Sequence, residues 1–140
     1  LRFANVYGPR STHKTSVVAR FIKDALNGGP LTIYGDGQQT RDFLYVDDLC
    51  RAVLLAMTKE VGGEVLQIGT GVETRIIDLA EMIRQVVGKD GLEIVFAPPR
   101  RGEIRCNYSS IIMAERVLGF RPEVALEEGL RKTSEWFIIE

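Results

Sequence analysis

Four arginines stand where they can converge on an anion. Arg41 follows the glycine turn Gly35-Asp36-Gly37, and Arg100, Arg101 and Arg105 share a polar stretch behind Pro98-Pro99. A diphosphate carries two charges, and two convergent guanidinium groups bind it through forked, charge-assisted hydrogen bonds. Asn5, in the opening apolar run, can donate its amide to the same group. Tyr34 can lay its ring against a flat base, and Glu103 can accept from a ribose or sugar hydroxyl. Each has a plainer role as well: Arg41 as a surface charge at a strand start, Tyr34 as a core aromatic. The nucleotide reading gains weight only if these residues meet.

Reactive groups are scarcer. None of Tyr7, Tyr34, Tyr45 and Tyr108 has a lysine four positions on, so a phenolate general base with a cationic partner is missing. The single histidine, His13, falls in a polar loop and is expected to be solvated. No group of side chains has metal-ligand spacing. A dinucleotide fingerprint needs glycines between a strand and a helix, so that backbone N–H groups approach a pyrophosphate. Gly35-Asp36-Gly37 is followed by a strand. Gly69-Thr70-Gly71 lies between a strand and a helix, but Thr74 stands where a third glycine would be, so a tight turn is the favoured reading.

These residues sit in a chain of ordinary soluble composition, 45% apolar and 26% charged, with a formal net charge of −1. That balance gives no support to a nucleic-acid binder. The basic residues are unevenly chosen, 13 Arg against 5 Lys, as anion binding or surface salt bridges would require. Cys50 falls on an apolar helical stripe and reads as core, and Cys106 falls in a loop. Two cysteines make neither a disulfide framework nor a metal site, which favours a reducing, cytoplasmic setting. These residues contain no membrane-length apolar run, so no membrane span is expected, and none of them reads as a signal peptide.

The elements that must position the candidates alternate between helix and short strand. Leu1–Tyr7 reads as a strand with no turn or cap before it, as in a segment continuing from an earlier part. Val17, Val18, Phe21, Ile22, Ala25 and Leu26 recur at helical spacing, and Asn27-Gly28-Gly29-Pro30 ends that helix. Leu31–Tyr34 and Asp42–Val46 are short strands. Asp47 or Asp48 can cap the next helix, whose apolar face is Leu49, Cys50, Val53, Leu54 and Met57. Glu64–Ile68 is a strand. Thr74 is placed to cap a helix burying Ile76, Leu79, Ala80, Ile83, Val86 and Val87. Leu92–Phe96 is a further strand, and residues 100–108 form a polar loop. Ser109 or Ser110 can cap a short helix carrying Ala114, Val117 and Leu118. A last helix from about Ala125 turns Leu126, Leu130, Thr133, Trp136 and Phe137 inward. The class is α/β with short strands and about five helices.

Several strings resemble one family. Leu1-Arg2-Phe3-Ala4-Asn5-Val6-Tyr7-Gly8-Pro9-Arg10, the stretch from Leu31 to Asp48, Glu64–Gly71 and Leu126-Glu127-Glu128-Gly129-Leu130 are similar, in order, to the C-terminal part of NAD-dependent epimerases/dehydratases. These extended short-chain dehydrogenases/reductases include UDP-glucose 4-epimerase. The resemblance covers essentially the whole chain, 1–140, as a substrate-binding domain that includes the last Rossmann-side strand at 1–7. It implies that Asn5 and Arg41 contact a substrate diphosphate and that Thr32 and Tyr34 line a nucleobase pocket. It implies that Arg100 and Glu103 belong to an Arg-x-Gly-Asp loop closing over the nucleotide, with Glu here for Asp. Ser110 stands where the family often has Asp, and Arg101 replaces a common proline. The family's NAD-binding glycines and Tyr-x-x-x-Lys pair lie ahead of Leu1, in an N-terminal Rossmann core.

The expected partners are therefore a UDP- or dTDP-sugar and that Rossmann domain, with NAD as cofactor of the intact enzyme and not bound tightly by these residues alone. By itself the chain is expected to be inert. A free-standing nucleotide-sugar binding module, or a domain self-associating through exposed apolar surface, are the alternatives.

Overall fold

The computed structural model describes residues 1–139. Eight short strands and five helices alternate in the order β1 (Arg2–Phe3), β2 (Asn5–Tyr7), α1 (Val17–Leu26), β3 (Leu31–Tyr34), β4 (Thr40–Arg41), β5 (Phe43–Tyr45), α2 (Val46–Thr58), β6 (Gln67–Ile68), β7 (Thr74–Arg75), α3 (Ile76–Val86), β8 (Ile94–Ala97), α4 (Ile112–Leu118) and α5 (Leu126–Ile139). The strands join in pairs. β1–β6, β2–β5 and β3–β8 are parallel, and β4–β7 is antiparallel. The class is α/β, as the alternation of short strands and helices predicts.

The opening strand is divided. Arg2 and Phe3 lie opposite Gln67 and Ile68, whereas Asn5, Val6 and Tyr7 lie opposite Phe43, Leu44 and Tyr45. The change of partner falls at Ala4, whose N–H donates to the Ile68 carbonyl at 2.8 Å, and the next N–H, of Asn5, donates to the Asp42 carbonyl at 3.0 Å. β5 sits between two cores. Its side chains alternate, so Phe43 and Tyr45 enter the larger core with Tyr7, Phe21, Ile33, Leu79 and Phe137, while Leu44 enters a smaller one with Ala52, Ile68, Leu118 and Phe120.

Helix α2 is rotated relative to the sequence reading. Asp47 and Asp48 do not cap it: the helix begins at Val46 with Tyr45 in the capping position. Asp48 is buried and accepts from the backbone N–H groups of Glu123 at 3.0 Å and Val124 at 3.1 Å, and from Arg51 at 2.7 Å. Turning Asp48 inward puts Ala52, Leu49, Leu55 and Ala56 against the smaller core. Of the expected face only Leu49 stays against a core, and the rest is turned outward. Cys50 is exposed rather than core, and Leu54 and Met57 are 60% and 76% exposed.

Two other caps move as well. Thr74 pairs in β7 with Arg41, so Arg75 takes the capping position of α3. Ile111, not Ser109 or Ser110, precedes α4, because the Ser109 N–H is drawn to Asp42 at 3.2 Å. The strand expected over Glu64–Ile68 shortens to Gln67–Ile68, and that over Leu92–Phe96 shifts to Ile94–Ala97 in register with β3. Cys106 lies in a loop, as expected, and is exposed. No helix among the described residues is long and apolar enough to cross a membrane.

Candidate functional site

β3 alternates strictly. Leu31 and Ile33 enter the core, so Thr32 and Tyr34 take the opposite face. The turn that follows needs left-handed backbone at Gly35 (φ 81°) and Gly37 (φ 74°), which a side chain would strain. The Asp36 carboxylate accepts the Gln38 N–H at 3.0 Å inside that turn. That bond first, and Arg105 second, hold the Asp36 carboxyl below the usual carboxylate range. The chain then runs back through Gln39, whose amide donates to the Tyr34 carbonyl at 2.7 Å, into β4 and Arg41.

Five of the six candidate residues line one cavity of about 250 Å³: Asn5, Tyr34, Arg41, Arg100 and Glu103, together with Tyr7, Arg20, Gln39, Phe43 and the first turn of α1. Thr32 lines neither this cavity nor its neighbour; its carbonyl accepts a hydrogen bond from Arg20 at 2.9 Å. A second hollow of about 590 Å³ shares Tyr34, Gln39 and Glu103 and is walled by Gly35, Phe96, Ala97 and Pro99. An arginine-lined pit and a largely apolar groove thus meet at the Tyr34 ring. Arg100 lies over that ring, 4.1 Å from its centroid.

Arg41 is already engaged. It forms an ion pair with Glu103 and donates to the carbonyls of Ile104 and Thr40, each at 2.7 Å. The loop carrying Arg100 and Glu103 is thereby drawn over the pit. Asn5 donates its side-chain amide to the Asp42 carbonyl at 3.1 Å at the pit's edge. Tyr7 is no proton acceptor here. Burial first, then the neighbouring Tyr45 and the carboxylates of Asp48 and Glu128, push its phenol far above the ordinary range, and its O–H donates to the Leu126 carbonyl at 3.1 Å.

Gly69-Thr70-Gly71 is not a phosphate cradle. The N–H groups of Thr70 and Gly71 both donate to the buried Asp42 carboxylate, at 2.9 and 3.1 Å. An internal anion occupies the donors a pyrophosphate would need, so these residues do not fit a dinucleotide. His13 is exposed, and no cluster of metal-ligating side chains exists among the described residues. Sequence reasoning missed Arg20 and Gln39 as pocket residues and Asp42 and Asp48 as buried anchors. Arg20 lies on the polar stripe of an amphipathic helix, which ordinarily reads as a solvent face.

Residues 1–69 match the model of the NAD dependent epimerase/dehydratase family. A UDP-glucose 4-epimerase of Mycolicibacterium smegmatis is 43% identical over 136 residues, covering 96% of this chain and 43% of that protein. Nucleotide-sugar decarboxylases are also relatives. The crystal structure of UDP-glucose 4-epimerase with UDP-glucose from Thermotoga maritima superposes with a TM-score of 0.93 at 44% identity, over 99% of this chain and 45% of that one. That of UDP-glucuronic acid 4-epimerase from Bacillus cereus, in complex with UDP-glucuronic acid and NAD, gives 0.90 at 34% identity, over 99% and 44%. The chain spans under half the length of these relatives, and in order and fold it corresponds to a C-terminal part of them. It belongs to the NAD dependent epimerase/dehydratase family.

Proposed function

We propose that the chain is the nucleotide-sugar-binding part of an NAD-dependent epimerase of the UDP-glucose 4-epimerase kind. The observation that carries this is the meeting of Asn5, Tyr34, Arg41, Arg100 and Glu103 around one pit beside an apolar groove. Arg41 and Arg100 supply forked donors for a diphosphate. Tyr34 and the groove of Phe96 and Pro99 offer a base-sized apolar wall. Asn5 closes the near edge, Glu103 takes a ribose hydroxyl, and Thr32 shapes the base pocket from behind through its backbone. UDP-sugars bound to relatives favour a UDP- or dTDP-sugar as ligand.

Hydride chemistry would come from NAD held by another part of the enzyme, with this chain positioning the sugar. Residues 1–140 then form one substrate domain, with 1–7 at the edge of the dinucleotide-binding sheet. The exposed Phe3, Leu54 and Met57 favour a covering partner, either that Rossmann domain or a second copy. Two exposed free thiols, Cys50 and Cys106, favour a reducing, cytoplasmic setting. The chain alone is read as inert, and turnover of UDP-glucose by the purified chain with NAD would refute that point.

Calorimetric titration with UDP tests the binding reading. Arg41→Ala should lose at least about 1.5 kcal/mol, roughly tenfold in affinity, with the charged hydrogen bond to phosphate. No UDP binding by the unaltered chain would sink it.

A further inference from the structure

Arg20 lies in the second turn of α1 and lines the arginine pit. Its guanidinium carbon is 5.1 Å from the Tyr34 ring centroid, and that of Arg100 is 4.1 Å from the same centroid. One Nη of Arg20 donates to the Thr32 carbonyl, while its Nε is buried with no hydrogen-bond partner. Arg41 has Glu103 as its counterion. Among the described residues, neither Arg20 nor Arg100 has an ion pair. Burial, and next the positive charge of Arg100, lower the Arg20 guanidinium below its ordinary range, and the opposing pull of Asp24 is the weakest of the influences on it. Two cations sharing one ring without a carboxylate between them repel, and an entering anion relieves that repulsion.

We propose that Arg20 is a ligand-binding residue that forms, with Arg100, a two-guanidinium subsite for the phosphate oxygens of a nucleoside diphosphate. This subsite is separate from the Arg41–Glu103 pair. It rests on the nucleotide-binding reading above and adds a third arginine to it, from a helix rather than a loop. The second Nη of Arg20, which has no hydrogen-bond partner among the described residues, and the free edge of Arg100 supply the donors, since both side chains line the pit. The bond to Thr32 holds the Arg20 side chain in place, so little rotamer freedom remains to be lost on binding.

Titrations of UDP and of uridine into the unaltered chain, Arg20→Gln and Arg20→Lys test it, at low and high salt. Arg20→Gln should weaken UDP about tenfold or more, leave uridine nearly unchanged and reduce the salt sensitivity of UDP binding. Arg20→Lys, which keeps charge without the fork, should fall between. UDP affinity unaltered in Arg20→Gln overturns the proposal. So does an equal loss of UDP and uridine, which marks Arg20 as a brace for β3. If thermal unfolding shows Arg20→Gln to be misfolded, Arg20→Lys decides: UDP weakened with uridine retained supports the subsite, and UDP unaltered defeats it. UDP binding that is lost in Arg41→Ala but untouched at Arg20 defeats this proposal alone. Absence of UDP binding by the unaltered chain defeats both readings.

Discussion

The Asp42 carboxylate accepts both the backbone N–H and the hydroxyl of Thr70, at 2.9 and 2.6 Å. It also takes the N–H groups of Gly71 and Ser109. One buried acid thus binds the turn after β6 and the end of the Arg100 loop to the strand that presents Arg41. Arg41 owes its placement to this neighbour. Asp42→Asn replaces an acceptor with a group that is half donor and leaves buried N–H groups poorly paired. It should cost about 3 kcal/mol. Urea unfolding measures the cost, and a loss under about 1 kcal/mol would mean water replaces the carboxylate.

The Arg41–Glu103 pair has a different character. Its side chains are only 15% and 30% exposed, so the cost of desolvating both charges offsets most of their attraction and the pair's net contribution to stability is small, about 1 kcal/mol or less. Its effect on the proposed diphosphate binding should be larger, because Glu103 would compete with an incoming phosphate for the same guanidinium. Inorganic pyrophosphate isolates that competition, since it has no ribose for Glu103 to hold. Glu103→Gln should bind pyrophosphate about threefold more tightly or better, with unfolding shifted by less than about 1 kcal/mol. Weaker pyrophosphate binding would show instead that Glu103 holds Arg41 in its binding pose.

Periodicity made α1, α3 and α5 legible, because their buried residues recur on a single face. It failed for α2, where apolar residues occupy both faces and the rotation is set by Asp48 reaching residues 123 and 124. An acid at the start of a helix looks like a cap. Only the distant segment reveals it as an anchor. The same holds at Thr74, whose cap-like identity yields to pairing with Arg41 across 33 residues of chain. Residue type and turn context offer Arg41 and Arg100 among four arginines and leave Tyr34 a core aromatic by default; the family resemblance singles these three out, and the structure brings them to one cavity. Arg20 was not legible, because nothing local distinguishes an arginine facing a pit from one facing solvent.

Tyr7 predicts an alkaline limit. Its phenol is raised in the fold above the ordinary value of about 10, by burial before any charge. A raised folded value means the stabilisation is complete below about pH 10 and is lost as pH climbs from there toward the folded value. Tyr45, also raised by burial first, adds to the same window. Stability should therefore fall above about pH 10. Tyr7→Phe should lose about 1 kcal/mol at neutral pH with the Leu126 bond, and its decline with alkali should be shallower. Equal slopes for both proteins in pH-dependent unfolding would overturn this assignment.

Gly129 sits within α5, where alanine would ordinarily stabilise a helix by about 1 kcal/mol. Here the helix crosses the aromatic pair Tyr7 and Tyr45, of which Tyr7 lines the pit. A β-carbon on Gly129 would clash with the Tyr7 hydroxyl and come 2.9 Å from the Tyr45 ring. Both rings are buried, 4% exposed, and stacked edge to face with centroids 5.6 Å apart, so neither can swing away. The clash must be relieved by moving α5 off β2 and β5, which overrides the propensity gain. Gly129→Ala should destabilise by about 1–3 kcal/mol. Because Tyr7 also lines the pit, it should weaken UDP binding in step. A stabilised Gly129→Ala variant in urea unfolding would show that α5 is free to shift, and that Tyr7 is not held where the pit requires it.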